Sequence, residues 1–204
     1  MTGFLRTLVL TIGLLCHGQS GATGLLTELD ASSPAATLGS FHADRGEYDD
    51  ALTCYAQARR LDPRDITPLV NASLILNALG RNEQAEQSLR HALELDPESY
   101  PAHLNLGMLL GELRRIPEAE EAFRRALRLE PKSAVAAYNL GLIVVDRDSE
   151  SGVALLRKAA QWQPDEPRYA FALAYHLDQC GAHEEAVAEL RHLLDAHPTY
   201  TDAY

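Results

Sequence analysis

The sequence contains little cysteine, three residues among 204, and no two of them form a CxxC or CxxCH motif. A redox-active dithiol and a covalently attached haem both require such a pair, so the sequence encodes neither. Walker loops for phosphate, GxSxG nucleophile motifs, HExxH metal motifs and paired-cysteine zinc spacings are also absent. The chain therefore lacks the short motifs that identify common classes of enzyme.

Carboxylates and histidines are present, but their spacing does not favour a catalytic or metal site. Glu118, Glu120 and Glu121 lie among arginines, a pattern typical of a solvated helix face. Four histidines gather near the C-terminus, yet no two of them are four residues apart: His176, His183, His192 and His197. We therefore predict a protein that is not an enzyme and that uses neither a cofactor nor a metal.

Basic residues are too few to form a positively charged surface. Lys and Arg number 18 and Asp and Glu number 29, which gives a net charge of −11. An acidic protein without a basic face does not attract nucleic acid or anionic membrane surfaces. No apolar run approaches the ~20 residues that a membrane-spanning helix needs. These shortages leave another protein or peptide segment as the expected partner.

Residues 1–22 differ in composition from the rest of the chain. They contain one arginine as their only charged side chain, a short apolar run over Leu8–Cys16, and then small residues. This order is typical of a secretory signal peptide, with cleavage after Ser20 or Ala22 and a linker over residues 23–31. We therefore expect an exported, periplasmic protein; the alternative is a cytoplasmic protein with an apolar N-terminus.

Beyond residue 31 the apolar residues recur with the period of a helix, and the whole pattern returns about every 34 residues. Within residues 100–133, Leu106 and Leu110 share one face of a first helix. Ala119 and Phe123 share one face of a second helix. Each unit ends on a proline, which cannot continue a helix: Pro63, Pro97, Pro131, Pro164 and Pro198.

This pattern resembles the tetratricopeptide repeat family, whose repeats have 34 residues with small residues at positions 8 and 20. The resemblance implies an all-α fold, a right-handed α-solenoid of ten antiparallel helices. It divides the chain into five repeats, the fourth one residue short, and the start of a sixth over residues 201–204: 32–65, 66–99, 100–133, 134–166 and 167–200. Cys54 and Cys180 would then lie four repeats apart and should not form a disulfide with each other.

In this family the first helix of each repeat lines a concave groove, and the resemblance places a binding surface there. Positions 5 and 9 of repeats 2 to 5 form an apolar stripe that ends in aromatic residues: Val70, Leu74, Leu104, Met108, Tyr138, Leu142, Phe171 and Tyr175. Position 6 is asparagine in three successive repeats: Asn71, Asn105 and Asn139. An amide offers both a donor and an acceptor, which a peptide unit needs. The implied function is a scaffold that binds an extended, partly apolar segment of a partner protein, with Asn105 as the central contact.

Two further expectations concern the partners. Residues 66–74 and 167–190 resemble repeat regions at the C-terminal end of exported multihaem c-type cytochromes. The alternative function is therefore an accessory module of a periplasmic redox complex. The second helix of repeat 5 carries Leu190, Leu193 and Leu194 without a complete sixth repeat to cover them, so we expect self-association there.

Overall fold

The computed structural model describes residues 34–198 and residue 200, and these residues form ten α-helices with no strand among them. The helices follow one another in five pairs, as predicted: α1 Pro34–Asp44, α2 Tyr48–Leu61, α3 Thr67–Ala78, α4 Asn82–Leu95, α5 Tyr100–Glu112, α6 Ile116–Leu129, α7 Ala134–Val144, α8 Ser149–Trp162, α9 Pro167–Gln179 and α10 His183–Ala196. The predicted signal peptide, the linker and the start of a sixth repeat lie outside the described residues.

The chain divides into two compact units, Met1–Ala122 and Phe123–Tyr204, called unit 1 and unit 2 below. Unit 1 contains the described helices α1 to α5, and unit 2 contains α7 to α10. The boundary between the units falls within α6. The residues predicted to bind a partner are therefore divided between the two units.

The starts of several helices follow from their local sequence. Helices α3, α5 and α9 have proline in the first turn, where its fixed φ suits the helix and its missing N–H is not needed. Ser99 caps α5 by accepting a hydrogen bond from the backbone N–H of Ala102 at 3.3 Å. Ser133 caps α7 in the same way, accepting from Ala136 at 3.1 Å. These caps fix the first turn of the two helices that carry Asn105 and Asn139.

The turns inside four of the helix pairs use one residue in the left-handed region at position 15 of the repeat. In three repeats this residue is glycine, which adopts the conformation without strain: Gly46, Gly80 and Gly181, with φ of 75°, 70° and 81°. In repeat 3 it is Arg114, with φ of 61°. The shorter turn of repeat 4 contains no described non-glycine residue with positive φ, and Asp148 caps the next helix there.

Glycines let the two helices of a pair approach closely. In unit 1, a Cβ atom on Gly39 would lie 2.6 Å from Cε1 of Tyr55, a ring that is 1% exposed. The Tyr55 hydroxyl lies 3.2 Å from Oγ of Ser40, so this buried phenol is hydrogen-bonded. In unit 2, a Cβ atom on Gly152 would lie 2.4 Å from Cα of Val145. Neither position has room for a side chain.

Candidate partner-binding site

The eight apolar residues predicted to line a groove differ in exposure. Four are buried and belong to the cores of their units: Val70, Leu104, Tyr138 and Leu142. Four are half-buried: Leu74, Met108, Phe171 and Tyr175. Most residues at position 5 therefore contribute to packing, and most residues at position 9 are accessible to a partner.

In unit 1 a small cavity of about 30 Å³ lies among α3, α4 and α5. Its lining combines apolar, amide and carboxylate side chains: Ser73, Leu74, Asn77, Leu89, Asn105, Met108, Leu109 and Glu112. Nδ2 of Asn77 donates a hydrogen bond to Oε2 of Glu112 at 2.8 Å, which links α3 to α5. The cavity has space for about two water molecules, or for one carbonyl or amide group.

Asn71 and Asn105 occupy the same repeat position on α3 and α5, and they are 1% and 6% exposed. Among the described residues, neither Nδ2 nor Oδ1 of Asn71 has a hydrogen-bond partner, and Oδ1 of Asn105 has none. Leaving a buried polar group unpaired costs about 1–3 kcal/mol. Asn105 lines the cavity. A donor placed in the cavity would therefore lie beside an amide that needs a partner.

In unit 2 the third asparagine of the series has a different environment. Nδ2 of Asn139 donates to the backbone oxygen of Val135 at 2.9 Å, within its own helix. The neighbouring Tyr138 packs its ring against Tyr169, with 4.8 Å between the ring centroids. Burial raises the pKa of the Tyr138 phenol. Repeat 4 thus uses positions 5 and 6 mainly for internal contacts.

Phe171 and Tyr175 on α9 are half-buried and thus more accessible than Tyr138. Phe171 contacts Tyr200 edge to face at 6.0 Å, and Tyr175 contacts His176 at 5.1 Å between centroids. Burial lowers the pKa of His176, with a smaller opposing effect from Asp146, and Nε2 of His176 has no hydrogen-bond partner among the described residues. Burial therefore favours the neutral form of His176, whose ring packs against Tyr175.

Sequence reasoning missed one cluster of possible metal ligands in unit 1. One nitrogen or oxygen atom each of His42, Glu47 and Asp50 lies within 4.8 Å of the others, across the turn between α1 and α2. Nδ1 of His42 already contacts Oε2 of Glu47 at 2.6 Å, and Arg45 donates to the other oxygen at 2.9 Å. The hydrogen bond from Arg45 is the largest cause that lowers the pKa of Glu47. These contacts engage His42 and Glu47 with each other and with Arg45, so we propose no metal site there.

The described residues contain two cysteines, and both are free thiols. Cys54 is half-buried in α2 of unit 1, and Cys180 is exposed beyond α9 of unit 2. Among the described helices, none is long and apolar enough to cross a bilayer.

The paired helices, the left-handed turn residues and the small residues at helix contacts define a helical repeat protein. Two family models, both described as tetratricopeptide repeat, match residues 76–140 and 37–100. The chain belongs to the tetratricopeptide repeat family, and the α-solenoid fold class predicted from the sequence is confirmed. No curated protein matches the chain.

Several solved structures share this fold at low sequence identity. MamA, residues 41 to the end, from Desulfovibrio magneticus RS-1 is 20% identical, with a TM-score of 0.70 over 90% of this chain and 99% of that one. YrrB, described as a TPR protein with an unusual peptide-binding site, is 18% identical, with a TM-score of 0.66 over 91% and 97%. PilF from Pseudomonas aeruginosa is 18% identical, with a TM-score of 0.75 over 90% and 82%. At these identities the likeness concerns the fold alone.

Proposed function

We propose that this protein is a non-enzymatic scaffold that binds an extended, partly apolar segment of a partner protein on the first helices of its repeats. In unit 1 the contact is centred on the cavity among α3, α4 and α5. The observation that carries the proposal is the buried amide of Asn105, which lines that cavity and whose Oδ1 has no hydrogen-bond partner among the described residues.

The chemistry of the cavity suits a peptide backbone. Each peptide unit has one donor and one acceptor, and an asparagine amide can satisfy both. The cavity admits a backbone group but is too small for a large side chain. Leu74 and Met108 are half-buried beside it, so they can contact the partner's apolar side chains while the backbone group faces Asn105. Met108 is unbranched and can change rotamer to admit the segment.

The charges of unit 1 favour an internal segment over a C-terminal tail. Helices α1, α3 and α5 contain neither lysine nor arginine. A terminal carboxylate needs such cations for strong charge-assisted hydrogen bonds. YrrB, which shares this fold, is described as having an unusual peptide-binding site, and this supports a peptide segment as the class of ligand.

A substitution at Met108 tests where the partner binds. Extended peptides selected from a random phage-displayed library on the full chain serve as the probe, with affinity measured by calorimetry. Met108→Glu should weaken binding at least tenfold, because it places a carboxylate where an apolar side chain of the partner would be buried. Met108→Leu is the matched control, and it should bind like the parent because it nearly conserves volume and apolar character.

Melting temperatures of both variants separate recognition from folding. If Met108→Glu melts like the parent and binds the selected peptides equally well, those peptides do not use this face, and the proposal fails. If Met108→Glu loses both folding and binding, the affinities of Asn105→Ala and Asn139→Ala for the same peptides decide the proposal instead.

The alternative function is an accessory module of a periplasmic redox complex. It is supported by the resemblance of residues 66–74 and 167–190 to repeat regions of multihaem cytochromes. Both proposals place the protein outside the cytoplasm after removal of an N-terminal signal, so the mature chain would begin near Gly21 or Thr23. Haem staining of proteins captured from the envelope fraction, together with the intact mass of the captured chain, tests this alternative.

A further inference from the structure

Helix α1 exposes an apolar face, whereas the corresponding face of the first helix in later repeats is largely buried. Leu38 and Phe41 occupy positions 7 and 10 of repeat 1, and they are 48% and 54% exposed. At the same positions of repeat 2, Ala72 is half-buried and Ile75 is 3% exposed. Position 7 of the next three repeats is a leucine that is at most 6% exposed: Leu106, Leu140 and Leu173. The register therefore marks this face of α1 as a contact surface.

Unit 1 contains an example of how such a face is covered. Ile75 of α3 forms one buried cluster with Ala51 and Tyr55 of α2. Leu52 of α2 and Ala72 of α3 pack against the same cluster. Positions 7 and 10 of a first helix thus fit against positions 20, 21 and 24 of the preceding second helix.

Unit 2 has the complementary surface on α10. Its residue at position 21 is Val187, which is 46% exposed, and its residue at position 24 is Leu190, which is half-buried. In repeat 1 the residue at position 24, Tyr55, is only 1% exposed. Helix α10 therefore carries the apolar surface that α2 uses to contact α3.

Ion pairs between successive second helices follow the same register. In unit 1, Nη2 of Arg90 lies 3.4 Å from Oε2 of Glu118. In unit 2, Nη1 of Arg157 lies 2.6 Å from Oε1 of Glu185. In both pairs the arginine is at position 25 of one repeat and the glutamate is at position 19 of the next. This geometry recurs in both units and is a charge pattern of the repeat-to-repeat contact.

The same charge pattern is divided between the surface of α10 and the surface of α1 and α2. Position 25 of repeat 5 is Arg191, and position 19 of repeat 1 is Asp50. Both side chains are exposed, and neither forms an ion pair among the described residues. The surface of α10 thus matches the surface of α1 and α2 both in apolar residues and in charge.

We propose that the partner of these surfaces is a second copy of this chain, bound head to tail. Helix α1 of one copy packs on α10 of the next as α3 packs on α2, and Arg191 of that α10 pairs with Asp50 of its neighbour. The contact joins two different surfaces and is heterologous. In such a pair one copy keeps an unused α10 surface and the other keeps an unused α1 surface, so association continues beyond a dimer or closes into a ring.

Two variants of the full chain isolate the two surfaces. Phe41→Glu alters the α1 face and Val187→Glu alters the α10 face; both side chains are about half exposed, so the fold should be retained. Each variant alone should associate at least tenfold more weakly than the parent, because an apolar contact is replaced by a buried carboxylate. Sedimentation equilibrium over a range of concentrations measures this. Leu61→Glu is the control, at a side chain that is 68% exposed outside this contact, and should associate like the parent.

A mixture of the two variants gives the sharpest result. Phe41→Glu keeps an intact α10 face and Val187→Glu keeps an intact α1 face, so an equimolar mixture should form a heterodimer and nothing larger. A parent chain that stays monomeric at high concentration overturns the proposal, as does a mixture that remains monomeric. If Phe41→Glu associates like the parent, the copies associate through a surface that does not include Phe41, and the proposal is wrong.

A charge reversal tests the same contact without altering apolar residues. Arg191→Glu should weaken association about two- to fivefold, the range expected for an exposed ion pair. Adding Asp50→Arg to the same chain should restore the parental value, because the pair is then reversed. Failure of the double variant to recover, with circular dichroism unchanged, would contradict the proposed register.

Discussion

Repeats 3 and 4 share one register but build their turns differently. Repeat 3 has a turn of full length with Arg114 in the left-handed region, and position 20 is Ala119. Repeat 4 is one residue shorter in its turn and has Gly152 at position 20. A deletion in a turn can thus be accommodated by removing a side chain from the helix that follows.

The contact around Gly152 gives this interpretation its physical basis. A Cβ atom there would lie 2.4 Å from Cα and 2.7 Å from N of Val145, which are backbone atoms that cannot move independently. Gly141 in the same repeat is less constrained, since its nearest contact would be Cγ of Leu156 at 3.0 Å and its nearest backbone contact would be the oxygen of Gly152 at 3.2 Å. A leucine side chain can shift by a few tenths of an ångström, whereas a helix backbone moves as a whole.

Gly152→Ala is expected to have the largest effect on stability. Overpacking against backbone should lower the free energy of unfolding by about 3 kcal/mol, at the upper end for added methyl groups in a packed interior. Urea unfolding followed by circular dichroism measures the loss. Gly141→Ala is the matched control and should cost clearly less. Equal costs, or a Gly152→Ala variant as stable as the parent, would show that the shortened turn does not force this approach.

The repeat register allowed the fold to be predicted from the sequence. Proline and glycine at fixed spacings indicated where helices end, and small residues at positions 8 and 20 indicated where helices approach. Burial at position 5 was harder to predict, because Val70 and Leu104 belong equally well to a groove or to a core. Only the packing around each side chain decides between the two, and both side chains are fully buried.

Hydrogen bonding of the asparagines could not be predicted from the register either. Asn139 reaches a backbone oxygen of its own helix, whereas Asn71 and Asn105 occupy the same position with unpaired atoms. The rotamer that each amide adopts depends on local packing and not on repeat position. The cluster of His42, Glu47 and Asp50 escaped prediction for a related reason, since its members come together only across a turn.

The turn of repeat 3 also carries a group of ion pairs. Arg115 of repeat 3 donates to Glu86 and to Glu118 at 2.6 Å each. Burial raises the pKa of Glu86, but hydrogen bonds from Arg115 and Arg90 outweigh it and leave this pKa below its usual range. Hydrogen bonds from Arg115 are also the main cause that lowers the pKa of Glu118. A carboxylate with a lowered pKa stabilises the folded state above its unfolded pKa, and this contribution is lost as the pH falls.

Arg115→Gln should therefore change the pH dependence of stability, with a smaller effect than Gly152→Ala. The parent should lose stability as the pH falls from about 5, through the ordinary range of glutamate. The variant should be less stable than the parent at neutral pH and should show a shallower loss toward acid. Arg81→Gln, at an exposed arginine, is the control and should keep the parental slope. Parallel pH profiles for Arg115→Gln and the parent would mean that these ion pairs contribute nothing to acid sensitivity.

Asn105 and Asn139 form a matched pair that tests whether an unpaired amide in unit 1 recognises a partner's backbone. Both are 6% exposed and occupy position 6 of their repeats. They differ in that Oδ1 of Asn105 is unpaired beside the cavity, while Nδ2 of Asn139 is satisfied within its helix. Replacement by alanine should not lower stability at Asn105, because alanine favours helix and an unsatisfied group is removed.

The most direct measurement is the affinity of Asn105→Ala and Asn139→Ala for one selected extended peptide, with the melting temperature of each variant. Asn105→Ala should weaken binding by about 1–3 kcal/mol, or ~5- to 150-fold, through the loss of one or two hydrogen bonds to a peptide unit. It should melt at the parental temperature or slightly above, and Asn139→Ala should bind like the parent. If Asn105→Ala binds like the parent, or if both variants lose affinity equally, the unpaired amide does not mark the site of recognition and the account is contradicted.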